Sequence, residues 1–263
     1  MDRAHLFHFR HRLLAGLEAA GLGLMTLVYP PVCAGCGKMM GRPAGLCPEC
    51  WATVRFIERP FCEITGMPFD HDRGDGYVSP QAIANPPPYA RARAAVFHDG
   101  VARKIVHGLK YSDRADLSTM MAEWMIRAGR DVLDDSDVIV AVPLHRARLF
   151  SRRYNQSAEL ARALARLSGK TFLPGAVRRT RATRQQVGLG LRARQDNVRG
   201  AFLVPPEQAQ RLVGRKVLLV DDVLTTGSTV EAATRALLRR GAAQVNVLTF
   251  ARVASQGEET LYA

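Results

Sequence analysis

The stretch of this chain best equipped for chemistry is VLLVDDVLTTGSTV, residues 217–230. An apolar run leads into the adjacent carboxylates Asp221 and Asp222, and these are followed by Thr225, Thr226, Gly227, Ser228 and Thr229. Small hydroxyl residues around a glycine, placed where a helix begins, can cradle a phosphate with backbone N–H groups and the positive end of the helix dipole. Carboxylates next to that phosphate repel it unless they serve something else. Paired acids suit the hydroxyls of a sugar, held directly or through Mg²⁺. A ligand with a 5-phosphate and two ribose hydroxyls satisfies both halves of the motif.

A second constellation is PVCAGCGKMMGRPAGLCPECW, which sets Cys33, Cys36, Cys47 and Cys50 as CxxC, ten intervening residues, CxxC. Each CxxC turn can aim two thiolates at one ion, and Gly37 lets backbone amides turn toward the sulfurs. Four such ligands close a tetrahedral zinc site with no position left for water, so the expected role is structural. RPFCEITGMPF echoes the first pair, with Cys62 in the first ligand position, Thr65 in the second and no cysteine after it. That second ribbon is expected to hold no metal, with Cys62 a small buried residue.

The elements that must position these groups alternate along the chain. RARAAVFHDG, DVIVAVPL, KVLLVDDV and AAQVNVLTFARV read as strands, and the β-branched runs among them suit a sheet covered on both faces. VARKIVHGLKY places Val101, Ile105, Val106 and Leu109 at helical spacing, and DLSTMMAEWMIRAGRDVL reads as a second helix. YNQSAELARALARLSG and STVEAATRALLRRG are two more, closing on Gly169 and Gly241. This pattern predicts an α/β fold, a doubly wound and mostly parallel sheet, with its ligand beyond the carboxyl ends of the strands. The expected organisation is an amino-terminal helix over residues 1–29, a zinc ribbon over 30–69, a Gly-, Pro- and Asp-rich linker over 70–90, and the α/β domain over 91–254.

Composition sets the outer limits. At 263 residues and 47% hydrophobic content the chain can bury one full core, which excludes a disordered protein. The formal charge of +13 predicts an anionic partner, and the segment from Leu144 to Gly200 holds most of the basic excess. Five cysteines, four of them in CxxC pairs, point to a reducing compartment and a cytoplasmic protein. The apolar stretch near the amino end is interrupted by Glu18 and stopped by Pro30 and Pro31, so no integral membrane segment is expected.

The opening motif resembles the phosphoribosyl pyrophosphate motif of type I phosphoribosyltransferases, a hydrophobic strand, two acids and then Thr-Gly-x-Thr. By this resemblance Asp221 and Asp222 hold the ribose hydroxyls or Mg²⁺, and Thr225 to Thr229 hold the 5-phosphate. Together with HGLKY at 107–111, VPLHRARLFSRRYNQ at 142–156, TRQQVGLGLRARQDNVRGAF at 183–202 and the zinc ribbon, it makes the chain similar to the ComF family of competence-associated proteins. That resemblance implies a turn for the pyrophosphate at Leu144 and His145, with Arg146 and Arg148 facing the leaving group and acting as catalytic residues beside the two acids. It also implies a flexible loop over the site that includes Arg184, Gln186 and Arg194. Lys110 either reaches the same crevice or ends its helix as a favourable cation.

The activity implied is transfer of a phosphoribosyl group to an acceptor, with structural Zn and with Mg accompanying the phosphoribosyl pyrophosphate, in the setting of DNA uptake. Members of the fold that salvage 6-oxopurines carry an acid one residue before the Thr-Gly pair. Here that position is Thr225, which argues against such an acceptor. The alternative function is a non-catalytic accessory of DNA uptake that binds single-stranded DNA or DNA-uptake proteins, or senses phosphoribosyl pyrophosphate. Aromatic residues make up only 7% of the chain, which leaves little for base stacking.

Overall fold

The structure, a computed structural model, describes residues 31–41, 45–111, 116–144, 154–180 and 200–254. The chain divides into two compact units at Ala52 and Thr53. In the first unit a short hairpin pairs Val32 with Met39 and leads to helix α1, Pro48–Ala52.

The second unit is built on a five-stranded sheet. Its strands, in spatial order, are β1 (Ala92–Phe97), β7 (Gln244–Arg252), β6 (Lys216–Leu224), β2 (Val138–Ala141) and β3 (Thr171–Phe172), every neighbouring pair parallel. Residues 55–57 extend the β1 edge antiparallel, with Ile57 N–H donating to Ala95 O at 2.9 Å and Phe97 N–H to Arg55 O at 2.9 Å. A separate antiparallel pair joins β4 (Arg178–Arg179) to β5 (Phe202–Leu203).

Helices cover both faces. α2 (Pro80–Ala84) precedes β1, and between the strands run α3 (Gly100–Tyr111), α4 (Leu117–Ala128), α5 (Arg130–Asp134), α6 (Gln156–Ser168), α7 (Pro206–Ala209) and α8 (Ser228–Leu238). The two-residue period of β7 sorts its side chains. Val245 and Val247 pack in one core with Val230, Ala233 and Leu237 of α8, while Phe250 stacks on Trp124 of α4 with ring centroids 5.8 Å apart. All six residues of β1 are buried and eight of nine in β7, as a sheet covered on both faces requires.

The four long strands and the buried face of α3, Val101, Ile105, Val106 and Leu109, lie where the sequence places them. The helix expected from Asp116 onward is broken at Gly129 into α4 and α5. A Cβ there would lie 2.4 Å from Leu248 Cδ1, so the glycine lets the helices close on β7 without displacing that side chain. Among the described residues no helix is long and apolar enough to cross a membrane.

Candidate functional site

The sheet order fixes where a ligand can enter. From β2 the chain moves outward to β3, and from β6 it moves the other way to β7, so the carboxyl ends of β2 and β6 flank a topological switch point. β2 stops at Ala141 opposite Val220, and β6 runs past it from Asp221 to Leu224. The two acids therefore stand where β6 has lost its β2 neighbour.

Each acid is held differently. Asp221 Oδ1 accepts from Ser157 Oγ–H at 2.8 Å and from the N–H of Asp222 at 2.9 Å. Burial first, and the charge of Asp222 second, push the Asp221 carboxyl up to about 7. Asp222 is ion-paired to Lys110 Nζ at 2.7 Å, with both side chains mostly buried. One lysine serves two adjacent carboxylates.

The surrounding elements are tied to hold these groups. Asn155 caps α6, accepting from Ser157 N–H at 3.2 Å, while its amide donates to Val142 O at 3.0 Å, which binds the start of α6 to the end of β2. Tyr154 donates its hydroxyl to Leu109 O, fixing the last turn of α3 from which Lys110 extends. His98, just past β1, has its pKa pushed down by burial and then by the Lys110 charge.

After β6 the chain turns through Thr225 and Thr226 to Gly227, whose φ of 81° is the left-handed conformation that favours glycine. Gly227 caps α8, accepting from Glu231 N–H at 2.9 Å, and Thr226 Oγ1 lies 3.0 Å from Ser228 Oγ. The helix is eleven residues long and begins at Ser228, four residues past the end of β6, so its amino end lies at the same carboxyl edge of the sheet as the acids. Leu144 is half-buried three residues past β2. His145, Arg146, Arg148, Arg184, Gln186 and Arg194 lie outside the described residues. Asn155 falls within the VPLHRARLFSRRYNQ stretch, Ser157 and His98 join the crevice from outside the motifs that carry the resemblance, and Lys110 reaches the crevice, the first of its two sequence readings.

The metal centre is separate. The Sγ atoms of Cys33, Cys36, Cys47 and Cys50 all lie within 4.8 Å of one another, and Cys36 and Cys47 are 3.7 Å apart. Four thiolates at a Zn–S distance of about 2.3 Å stand about 3.8 Å from each other around a tetrahedron. The N–H groups of Gly35 and Cys47 donate to Cys33 Sγ at 3.4 and 3.3 Å, supporting a thiolate there. This donor set fits a closed structural zinc site.

Comparison with known proteins matches both regions of the chain. Residues 24–81 match the double zinc ribbon domain family, and residues 122–262 match the phosphoribosyl transferase domain family. The DNA utilization protein YhgH of Escherichia coli K12 is 34% identical over 214 residues, which cover 79% of this chain and 90% of that protein. Its namesake in Salmonella typhi is 31% identical over 234 residues, 87% of this chain and 93% of that one. Competence protein F of Haemophilus influenzae is 30% identical over 153 residues, 56% of this chain and 66% of the relative. With a double zinc ribbon region joined to a phosphoribosyltransferase domain and relatives of these names, the chain belongs to the ComF family.

Proposed function

We propose that this protein binds phosphoribosyl pyrophosphate with Mg²⁺ at the carboxyl ends of β2 and β6 and transfers its phosphoribosyl group to an acceptor. The observation that supports this most is the juxtaposition of two acids sharing one lysine with a glycine-and-hydroxyl loop at a helix amino end. Asp221 and Asp222 take the ribose hydroxyls, and Thr225 to Thr229 take the 5-phosphate. Magnesium, bound with the ligand, offsets the diphosphate charge next to these carboxylates. The excess negative charge on the acid pair fits such a cation.

The bond between the anomeric carbon and the diphosphate oxygen breaks, the acceptor's electron pair forms the new bond to that carbon, and the acceptor gives up its proton. The chain's own contribution is positioning and charge. Ser157 and Asn155 hold Asp221 and the β2 loop in register, the α8 amino end holds the phosphate, and Arg146 and Arg148 stabilise the departing diphosphate. By the family resemblance, Leu144 and His145 take the diphosphate, and Arg184, Gln186 and Arg194 act on the same ligand. Relatives named for DNA utilization and competence support a setting in DNA uptake for this chemistry.

Replacing Asp221 and Asp222 together by Asn keeps the shape and removes both charges. Mg²⁺-dependent binding of phosphoribosyl pyrophosphate by calorimetry should weaken by about 1.5–3 kcal/mol, as expected for lost charge-assisted bonds. Unchanged binding in the double variant would sink the ribose-anchor assignment.

A second reading has one observation in its favour. Arg211, Arg215, Arg239 and Arg240 are all exposed, on turns joined by Gly214 N–H to Gly241 O at 2.8 Å and Ala243 N–H to Arg215 O at 2.9 Å. This patch lies at the other end of β6 and β7 and suits a nucleic-acid backbone in an accessory role. DNA binding that survives physiological salt and is not competed by phosphoribosyl pyrophosphate would favour it.

A further inference from the structure

Twenty-nine residues beyond the four cysteines of the zinc site stand Cys62, Thr65, Gly76 and Ser79. The backbone repeats at the same interval. Cys33 N–H donates to Lys38 O at 2.8 Å and Cys62 N–H to Met67 O at 2.7 Å; Gly37 N–H to Cys33 O at 2.9 Å and Gly66 N–H to Cys62 O at 2.8 Å. Met40 N–H donates to Pro31 O at 2.8 Å and Phe69 N–H to Pro60 O at 2.9 Å. The bridge between Val32 and Met39 recurs between Phe61 and Pro68, and Gly37 and Gly66 share the left-handed conformation, with φ of 76° and 63°. Residues 60–69 are thus a second copy of the metal knuckle.

Its donors no longer fit zinc. Only one of the four positions is a thiol, glycine offers no ligand, and the Ser79 hydroxyl caps α2 by accepting from Ala82 N–H at 3.3 Å. The Cys62 sulfur, fully buried, instead accepts from Ser79 N–H at 3.3 Å. Burial alone pushes this thiol up, but hydrogen bonds from Ser79 and Thr65 outweigh it and bring Cys62 down to about 7.

The copy is also sewn into the sheet. Ala92 N–H donates to Ile64 O at 2.8 Å, Arg93 Nη1 to Glu63 O at 2.8 Å, and Arg93 Nη2 lies 2.6 Å from Glu63 Oε1. Arg252 Nη1 donates to Thr65 O at 3.0 Å from the last position of β7, opposite Leu224 and next to the Thr225 turn. A Cβ on Gly66 would lie 2.3 Å from Ala92 O, so the knuckle rests directly on β1.

We propose that residues 60–79 are a metal-free ribbon absorbed into the phosphoribosyltransferase-type unit, with hydrogen bonds onto Cys62 and onto β1 and β7 in place of the second zinc. Although the chain matches a double zinc ribbon family, it then carries one zinc, and removing that metal loosens the first ribbon alone.

The test uses the intact wild-type protein, so it does not depend on a variant that folds. Metal analysis should find near one zinc per chain. Hydrogen exchange with and without a chelator should show the amides of Cys33, Gly37 and Met40 losing protection while those of Cys62, Gly66 and Phe69 keep it. As a supporting arm, Cys47→Ser should lose the zinc and Cys62→Ser should retain it. Two zinc equivalents in the wild type, loss of zinc from Cys62→Ser, or chelator-induced exposure of both sets of amides would overturn the proposal. None of these readouts depends on phosphoribosyl pyrophosphate, so they are independent of the transferase reading.

Discussion

The two ends of the central sheet hold aspartates in opposite circumstances. At the amino end, Asp135 accepts from Lys216 Nζ at 2.6 Å, Arg91 Nη2 at 2.7 Å, Gln244 Nε2 at 2.7 Å and Asn246 Nδ2 at 3.2 Å. The Lys216 bond, though opposed by burial, leads the effects that hold its carboxyl far below the ordinary aspartate value. At the carboxyl end, Asp221 has a serine hydroxyl, one backbone N–H and a second carboxylate beside it, and its pKa moves up. Donors saturate the first site and leave the second short of positive charge. A saturated cluster has nothing to offer a ligand, whereas an acid pair that ionises fully only at a cost is what an incoming cation relieves.

If this contrast is real, breaking the amino-end network should damage the fold and spare the site. Arg93 is the member to remove. It is 2% exposed and lies 2.6 Å from Glu63 and 2.8 Å from Asp131, which Arg91 ties to the same network at 3.5 Å, so Arg93→Met takes the nearest cation from two carboxylates and leaves Glu63 only Arg59 at 3.2 Å and Asp131 only Arg91. Because both partners keep some solvent, the expected loss is about 2–4 kcal/mol, read by chemical denaturation. Affinity for phosphoribosyl pyrophosphate in the folded fraction should stay within twofold. A stability change under about 0.5 kcal/mol would show that the network is ornamental.

A smaller effect, of opposite sign, is expected at the other end. The Asp221 pKa is raised in the folded state, so its contribution to stability is fully present below the unfolded value and is lost as pH rises toward about 7. Asp221→Asn keeps an oxygen to accept from Ser157 and removes that loss. The variant should be more stable than wild type at pH 8 by about 1–3 kcal/mol, with the difference shrinking toward pH 4. Denaturation midpoints of the two proteins across that range check it. A pH-independent difference would place the Asp221 effect in packing and not in charge.

How much of this was readable in sequence depended on distance along the chain. The zinc cysteines and the acid-hydroxyl motif are local patterns, and the long strands announce themselves through β-branched runs. The pairs β2–β3 and β4–β5 include strands of two residues, too short to show a period. Ser157 and Asp221 are 64 residues apart and Arg93 and Glu63 30 apart, and only the closed sheet brings them together. Arg93 sits in RARAAVF, where an arginine reads as an exposed strand position; its burial follows from Glu63 and Asp131, which no window around it contains. The second ribbon showed its missing ligands in sequence but not its hydrogen bonds to β1 and β7, because those depend on strands that follow it.

The smallest effect is expected from Lys110, and it tests whether the carboxyl-end acids are short of charge or already satisfied. In the folded protein Lys110 lies 2.7 Å from Asp222, with 21% of the lysine side chain and 14% of the aspartate exposed. A divalent cation arriving without ligand must work against this lysine. Lys110→Met removes that opposition and keeps the stem that packs in the last turn of α3. Manganese binding to the ligand-free protein, followed by its electron paramagnetic resonance signal, should tighten about three- to tenfold, which corresponds to about 1 kcal/mol. Phosphoribosyl pyrophosphate should bind more weakly, because the lysine freed from Asp222 when the cation arrives is left facing the diphosphate. If manganese affinity is unchanged while the ligand still binds, Lys110 and Asp222 form a structural pair like those at the amino end, and the contrast between the two ends rests on Asp221 alone.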